Sequence, residues 1–130
     1  MTNKLKRSII SIMILANVYG FASEKLNDNK SDKYLGKQLY QVYCVQCHGI
    51  TGDGYGINVE DMSVLPKDHT DKKEMITRSD ADLFKAIKYG GKAVSKSALM
   101  PAWEANLSDK QIDAIVVYLR DVCCSDEGEK

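Results

Sequence analysis

Cys44-Val45-Gln46-Cys47-His48 constrains this chain more than any other stretch. Two thiols three positions apart, with an imidazole directly after the second, form the attachment pattern of a c-type haem. The thiols add across the two haem vinyl groups as thioethers, and the two-residue spacer matches the distance between those vinyls. His48, held under the iron by the second thioether, becomes an axial ligand. The Cys-x-x-Cys pair alone also fits a thioredoxin-like redox pair or half of a zinc site, so the rest of the chain has to be weighed with it.

At 130 residues the chain has room for one small domain. Met1 to Arg7 carries Lys4, Lys6 and Arg7, and residues 8–22 are then uncharged and mostly apolar, ending Gly20-Phe21-Ala22. A basic start, a short apolar run and a small-x-small end predict a secretory signal peptide over 1–22. The run is short for a membrane span, although an uncleaved anchor is the alternative. The whole chain has 18 basic and 18 acidic residues. Removing Lys4, Lys6 and Arg7 leaves 15 basic against 18 acidic. No basic surface of the kind nucleic acid selects is left. A cleaved signal peptide predicts export to the periplasm, with the mature protein soluble and touching a membrane only through partners or an uncleaved signal segment.

Residues 23–32 are polar (SEKLNDNKSD) and read as a flexible leader. A first helix is predicted over Lys33 to Tyr43, capped by Ser31 or Asp32, with Tyr34 or Leu35, Leu39, Val42 and Tyr43 on its apolar side. Gly36 and Tyr40 share another face, where a glycine permits close approach of a second helix. Gly49, Gly52, Gly54 and Gly56 make residues 49–62 a loop, able to wrap tightly round a flat cofactor. The irregular stretch continues through Leu65-Pro66-Lys67-Asp68-His69. A second helix runs from Ser79, with Asp82 at the capping-box position, to Tyr89 and ends at Gly90-Gly91. Residues 92–107 form a second loop. Ser108, with Gln111 three later, opens a last helix in which Ile112, Ile115, Val116 and Leu119 follow the i, i+3, i+4, i+7 pattern and which ends near Val122. Residues 123–130 are a charged tail starting with Cys123-Cys124. No segment alternates as a strand does.

A thioether sulfur on a loop far from His48 can reach the other face of the ring. Met100, 52 residues later and stiffened by Pro101, is the candidate. Met62 is its rival, and His69, the only other histidine, reads as a surface residue, with bis-histidine ligation as the alternative. Trp103, the only tryptophan, packs near the haem edge with its N–H free for a propionate, or is plain core. Tyr55 in the glycine loop is a further haem contact.

Taken together, Gly36-x-x-x-Tyr40 ahead of Cys-x-x-Cys-His-Gly, the glycine-rich loop after it, and Leu-Met-Pro-Ala-Trp ahead of a capped helix ending Tyr-Leu-Arg resemble the small monohaem class I cytochromes c of exported bacterial proteins. The resemblance covers residues 33–122. It implies an all-α cytochrome c-like fold, three or more short helices and long loops wrapped round one haem c bound covalently through Cys44 and Cys47. It also implies His48 as proximal and Met100 as distal ligand, and a crossing of the first and last helices near Gly36, Tyr40 and Tyr118. In that family a proline carbonyl accepts the proton on the other nitrogen of the proximal histidine, and Pro66 is the candidate.

His/Met ligation saturates the iron and leaves one-electron exchange rather than catalysis at the metal. The expected role is a non-enzymatic electron carrier between periplasmic or membrane redox partners, which dock transiently. The alternatives are a haem-based ligand-binding or sensing protein and a haem subunit of a larger dehydrogenase or heterodimer. Cys123 and Cys124 depart from the family pattern. In an oxidising compartment extra thiols rarely stay free. They bond to each other, bridge to a partner chain or supply a thiolate ligand.

Overall fold

Helix is the only regular structure among residues 28–125, the part of the chain that the computed structural model describes. The expected signal segment, residues 23–27 of the leader and residues 126–130 of the tail lie outside the described residues. The chain divides into two units, Met1–Ser31 and Asp32–Lys130, and everything from the haem motif onward belongs to the second. No helix among the described residues is long and apolar enough to cross a membrane.

The first helix, α1, occupies residues 28–43. It is already formed at 28, so residues 28–32 are helical rather than mobile, and Ser31 and Asp32 lie inside the helix instead of capping it. No glycine or proline lies between residue 28 and Gly36, so nothing there stops the helix at the expected start. The face of Gly36 and Tyr40 is buried as expected, and of the expected apolar side Leu35, Leu39 and Tyr43 are half-buried. Val42, by contrast, is 67% exposed and Tyr34 is exposed too. Gly36 decides the stripe, because α1 presents the face on which another backbone can touch it.

Three short elements separate α1 from the last helix. α2 is the single turn Val45–His48. α3, Lys72–Met75, has no periodicity to announce it. It is started by Asp71, whose side chain accepts from the Glu74 N–H, and it is fixed by burying Met75 completely. α4, Asp80–Tyr89, carries the expected capping box of Ser79 and Asp82 and ends at Gly90 with φ 80°. A 3₁₀ turn, Gly91–Val94, follows where loop was expected.

α5, Asp109–Cys124, has the expected Ser108–Gln111 capping box and runs two residues beyond Val122. It is the centre of the molecule. Ile112, Ala114, Ile115, Val116, Tyr118 and Leu119 are all buried, each large aliphatic contributing about 1.5–3 kcal/mol by leaving water. α5 packs against both α3 and α4, and α4 against the 3₁₀ turn. On the α1 side a Cβ at Gly36 would lie 1.9 Å from the Ala114 carbonyl oxygen and 2.9 Å from Tyr118 Cβ. The two helices therefore meet backbone to backbone, with Tyr40 and Tyr118 packed beside the crossing at 5.3 Å between ring centroids. At the end of α5, Cys123 and Cys124 are bonded to each other. Both sulfurs are thereby used, which leaves neither for a second chain or for iron in this structure.

Arg120 ties α5 to the other helices. Its guanidinium donates to the Asp80 carboxylate at 2.7 Å, to the Met75 carbonyl at 2.8 Å and to the Arg78 carbonyl. These acceptors sit at the end of α3 and the start of α4, so one side chain holds both. Arg120→Leu is expected to cost about 2 kcal/mol, since bonds to a charged donor are lost and a half-buried carbonyl is left unpaired. A fall in the urea midpoint at unchanged slope would show it. A midpoint within error of wild type would mean these bonds are made to water equally well.

Candidate functional site

The site grows directly out of α1. The Cys44 N–H donates to the Tyr40 carbonyl at 2.9 Å, and the His48 N–H donates back to the Cys44 carbonyl at 2.9 Å. The one turn of α2 thus continues the helical backbone with only a kink at Cys44. In a helical turn residues at i, i+3 and i+4 share a side, so Cys44, Cys47 and His48 are presented together. Both thiols are free and half-buried. Burial, with the neighbouring Cys47, pushes the Cys44 thiol up to about 12, so it stays protonated. Among the described residues no group of three or more His, Cys, Asp or Glu is gathered for a metal ion. The half-zinc-site alternative therefore finds no second half there.

The glycine loop is what holds the turn in place. The N–H groups of Asn58, Gly56 and Gly54 donate to the carbonyls of Gln46, Cys47 and His48 at 2.9–3.0 Å. A helix end leaves its last carbonyls without partners, and here the following loop doubles back and supplies them. Gly56 is required for that approach: a Cβ there would stand 2.4 Å from the Gln46 oxygen. Gly54 has φ 85° and would press on the Pro66 oxygen at 2.8 Å. The loop folds over the turn that bears the cysteines. Tyr40 adds a further brace, its hydroxyl donating to the Gly49 carbonyl at 3.2 Å.

His48 Nδ1 donates to the Lys67 carbonyl at 3.1 Å. The acceptor is thus Lys67, one residue beyond the expected Pro66, because the Pro66 carbonyl is turned towards Gly54. This bond puts the proton on Nδ1 and leaves Nε2 with its lone pair, the form in which imidazole binds a metal. Burial lowers the His48 pKa, opposed by the Lys67 bond, and favours the same neutral ring.

His69 is where the sequence misleads. It is 7% exposed, not a surface residue, and its ring lies against that of His48 with centroids 4.4 Å apart and planes 17° from parallel. The backbone N–H of His69 donates to the Gly52 carbonyl at 2.7 Å, and the Tyr40 ring meets its imidazole edge-on. Burial, followed by the neighbouring His48 and Lys67, pushes its pKa down to about 3, so it is neutral. Rings stacked face to face cannot be the two opposite ligands of one iron, which point at each other end-on. No pattern in the sequence marks His69; only the fold of the glycine loop brings it to His48.

Met100 lies on a separate segment. Its carbonyl accepts from the Gly91 N–H at 3.0 Å, and a Cβ at Gly90 would stand 2.9 Å from that same oxygen. Its half-buried side chain packs against the core cluster that Cys44 and Tyr43 also touch. Trp103 is half-buried and meets Tyr43 edge-on at 5.3 Å, which seats it one residue from Cys44. Tyr55 is 68% exposed, and only its backbone is fixed, by the Asp53 carboxylate. The structure therefore sets Cys44, Cys47 and His48 on one turn, brings the Lys67 carbonyl and the His69 ring against His48, and anchors Met100 and Trp103 on the neighbouring loop. Two free thiols on one turn and a neutral imidazole with one nitrogen held and the other open fit a c-type haem.

Comparison with known proteins points the same way. The family described as cytochrome c oxidase, cbb3-type, subunit III matches residues 32–119. The chain is 33% identical over 100 residues to cytochrome c6 of Tetradesmus obliquus, covering 75% of this chain and 98% of that one. It is 29% identical over 91 residues to the cbb3-type cytochrome c oxidase subunit FixP of Bradyrhizobium diazoefficiens, covering 70% of this chain. It spans only 28% of the FixP length.

Proposed function

Since the chain belongs to the cytochrome c family, with the helical fold and haem-based electron transfer of that family, we propose that it is a monohaem electron carrier with His48 and Met100 as axial ligands. Cys44 and Cys47 form the two thioethers. When bound, the haem iron supplies a one-electron couple. Burial keeps His48 neutral, and the Lys67 carbonyl orients the ring and would raise its basicity towards iron. Met100, whose backbone carbonyl is held by the Gly91 N–H, would supply the second ligand, a thioether sulfur that favours the reduced state. Trp103 and Tyr43 shield one side of the attachment turn from water.

The observation that carries this reading is the Cys44, Cys47, His48 turn, with its imidazole tautomer already set. Domain 33–122 is the working part, exported behind residues 1–22 and exchanging electrons with partner proteins in the periplasm. Co-expression with a c-type maturation system should give haem that survives denaturing gel electrophoresis. Cys44→Ser with Cys47→Ser should abolish that stain completely. Retention of the stain would overturn the assignment of the two thiols.

The match to FixP favours a second reading, a haem subunit within a larger redox assembly. Size-exclusion chromatography from the native host separates the two. A free carrier elutes at the size of the single chain, whereas a subunit elutes with its assembly.

A further inference from the structure

We propose that His69 is a positioning residue for the haem site: the face of its imidazole fixes the plane of the His48 ring. The inference rests on the reading of His48 as the proximal ligand.

One hydrogen bond does not fix a ring. The Lys67 carbonyl holds His48 Nδ1 at 3.1 Å, but carbonyl acceptance is broad in direction, so the ring can still rock about that contact. A flat surface laid against it removes the remaining freedom. The two imidazoles are 4.4 Å apart at their centroids and within 17° of parallel.

His69 is itself immobilised. Its backbone N–H is bonded to the Gly52 carbonyl, the Tyr40 ring meets it edge-on at 6.0 Å, and it is almost wholly buried. The loop that ends in this anchor is the one that caps α2 through Gly54. The two rings therefore stand on a single braced piece of backbone and cannot drift apart independently.

The choice of imidazole carries a cost. His69 Nδ1 is buried with no hydrogen-bond partner, an unfavourable state for a polar atom. An apolar side chain would fill the space without that cost. An unsatisfied buried group in an otherwise well-bonded loop calls for an explanation, and the need for a flat face against His48 accounts for a planar ring there rather than an aliphatic side chain.

The test uses the holoprotein and reads the orientation of the axial histidine. Electron paramagnetic resonance of the ferric state reports ring plane through the spread of its g values. His69→Phe keeps a flat face of similar size and should retain the wild-type spread. His69→Leu removes the face while keeping an apolar filling, and should move the largest g value by more than its linewidth, with haem content unchanged. Equal spectra for wild type, His69→Phe and His69→Leu would overturn the proposal. Should His69→Leu fail to fold, wild-type paramagnetic NMR decides: ring-to-ring Overhauser contacts between His48 and His69 support the stack, and their absence overturns it. Failure of the underlying reading is separately visible, because a wild-type spectrum without histidine ligation would remove His48 from the iron altogether.

Discussion

Valine in place of Gly36 is expected to leave no stable domain at room temperature, and alanine to destabilise it by about 3 kcal/mol. The first added carbon already stands 1.9 Å from the Ala114 oxygen and 2.6 Å from its carbonyl carbon. Both are backbone atoms of α5, so no rotamer change relieves the overlap. α1 and α5 would have to move apart, and the packing of Tyr40 on Tyr118 would go with them. Overpacking of this kind costs about 1–3 kcal/mol and sometimes more, against a total stability of about 5–15 kcal/mol for a domain. The sign is the sharp part. In a solvated helix Gly→Ala stabilises by about 1 kcal/mol. Thermal unfolding of Gly36→Ala therefore reads out whether the two helices touch: a lower midpoint supports the crossing, and a higher one removes it.

Met100→Ala should produce the second large effect, on the cofactor rather than the fold. Axial ligands move haem potentials over roughly 0.8 V, and methionine lies on the high side. Losing the sulfur should lower the midpoint potential by a sizeable fraction of that range. It should also remove the far-red methionine-to-iron band of the ferric protein and open the reduced iron to carbon monoxide. The fold should survive, because the Met100 carbonyl, not its side chain, makes the bond to Gly91. Met62→Ala is the control and should leave the band in place. A band that persists in Met100→Ala and vanishes in Met62→Ala would transfer the ligand role to Met62.

The parts of the molecule that could be read in advance are those whose cause is local. The capping boxes at Ser79 and Ser108 and the apolar stripe of α5 are properties of a few neighbouring residues. So is the grouping of Cys44, Cys47 and His48, because adjacent positions in one turn share a side whatever surrounds them. What escaped was set by distant partners. The Gly36 and Tyr40 face that meets α5 was legible, but the exposure of Val42 is set by where α5 lies and not by the apolar count of α1 itself. α3 exists because Met75 has a core to enter. The carbonyl that holds His48 belongs to Lys67 and not Pro66, and His69 reaches His48, because the loop after Gly49 folds back in a way that spacing along the chain does not encode.

The bonds that cap α2 have a consequence for the order in which the chain assembles. Its three end carbonyls are met by N–H groups no more than twelve residues further on. Loops of about ten residues close in roughly 10–100 ns. The crossing of Gly36 with Ala114, by contrast, joins the two ends of the domain, and contacts of that span form late. The turn with both thiols and His48 can therefore take shape in a chain whose terminal helices have not yet met. A maturation enzyme would then find its target already displayed on an open polypeptide, and the long-range closure of the domain would follow attachment and lock it in.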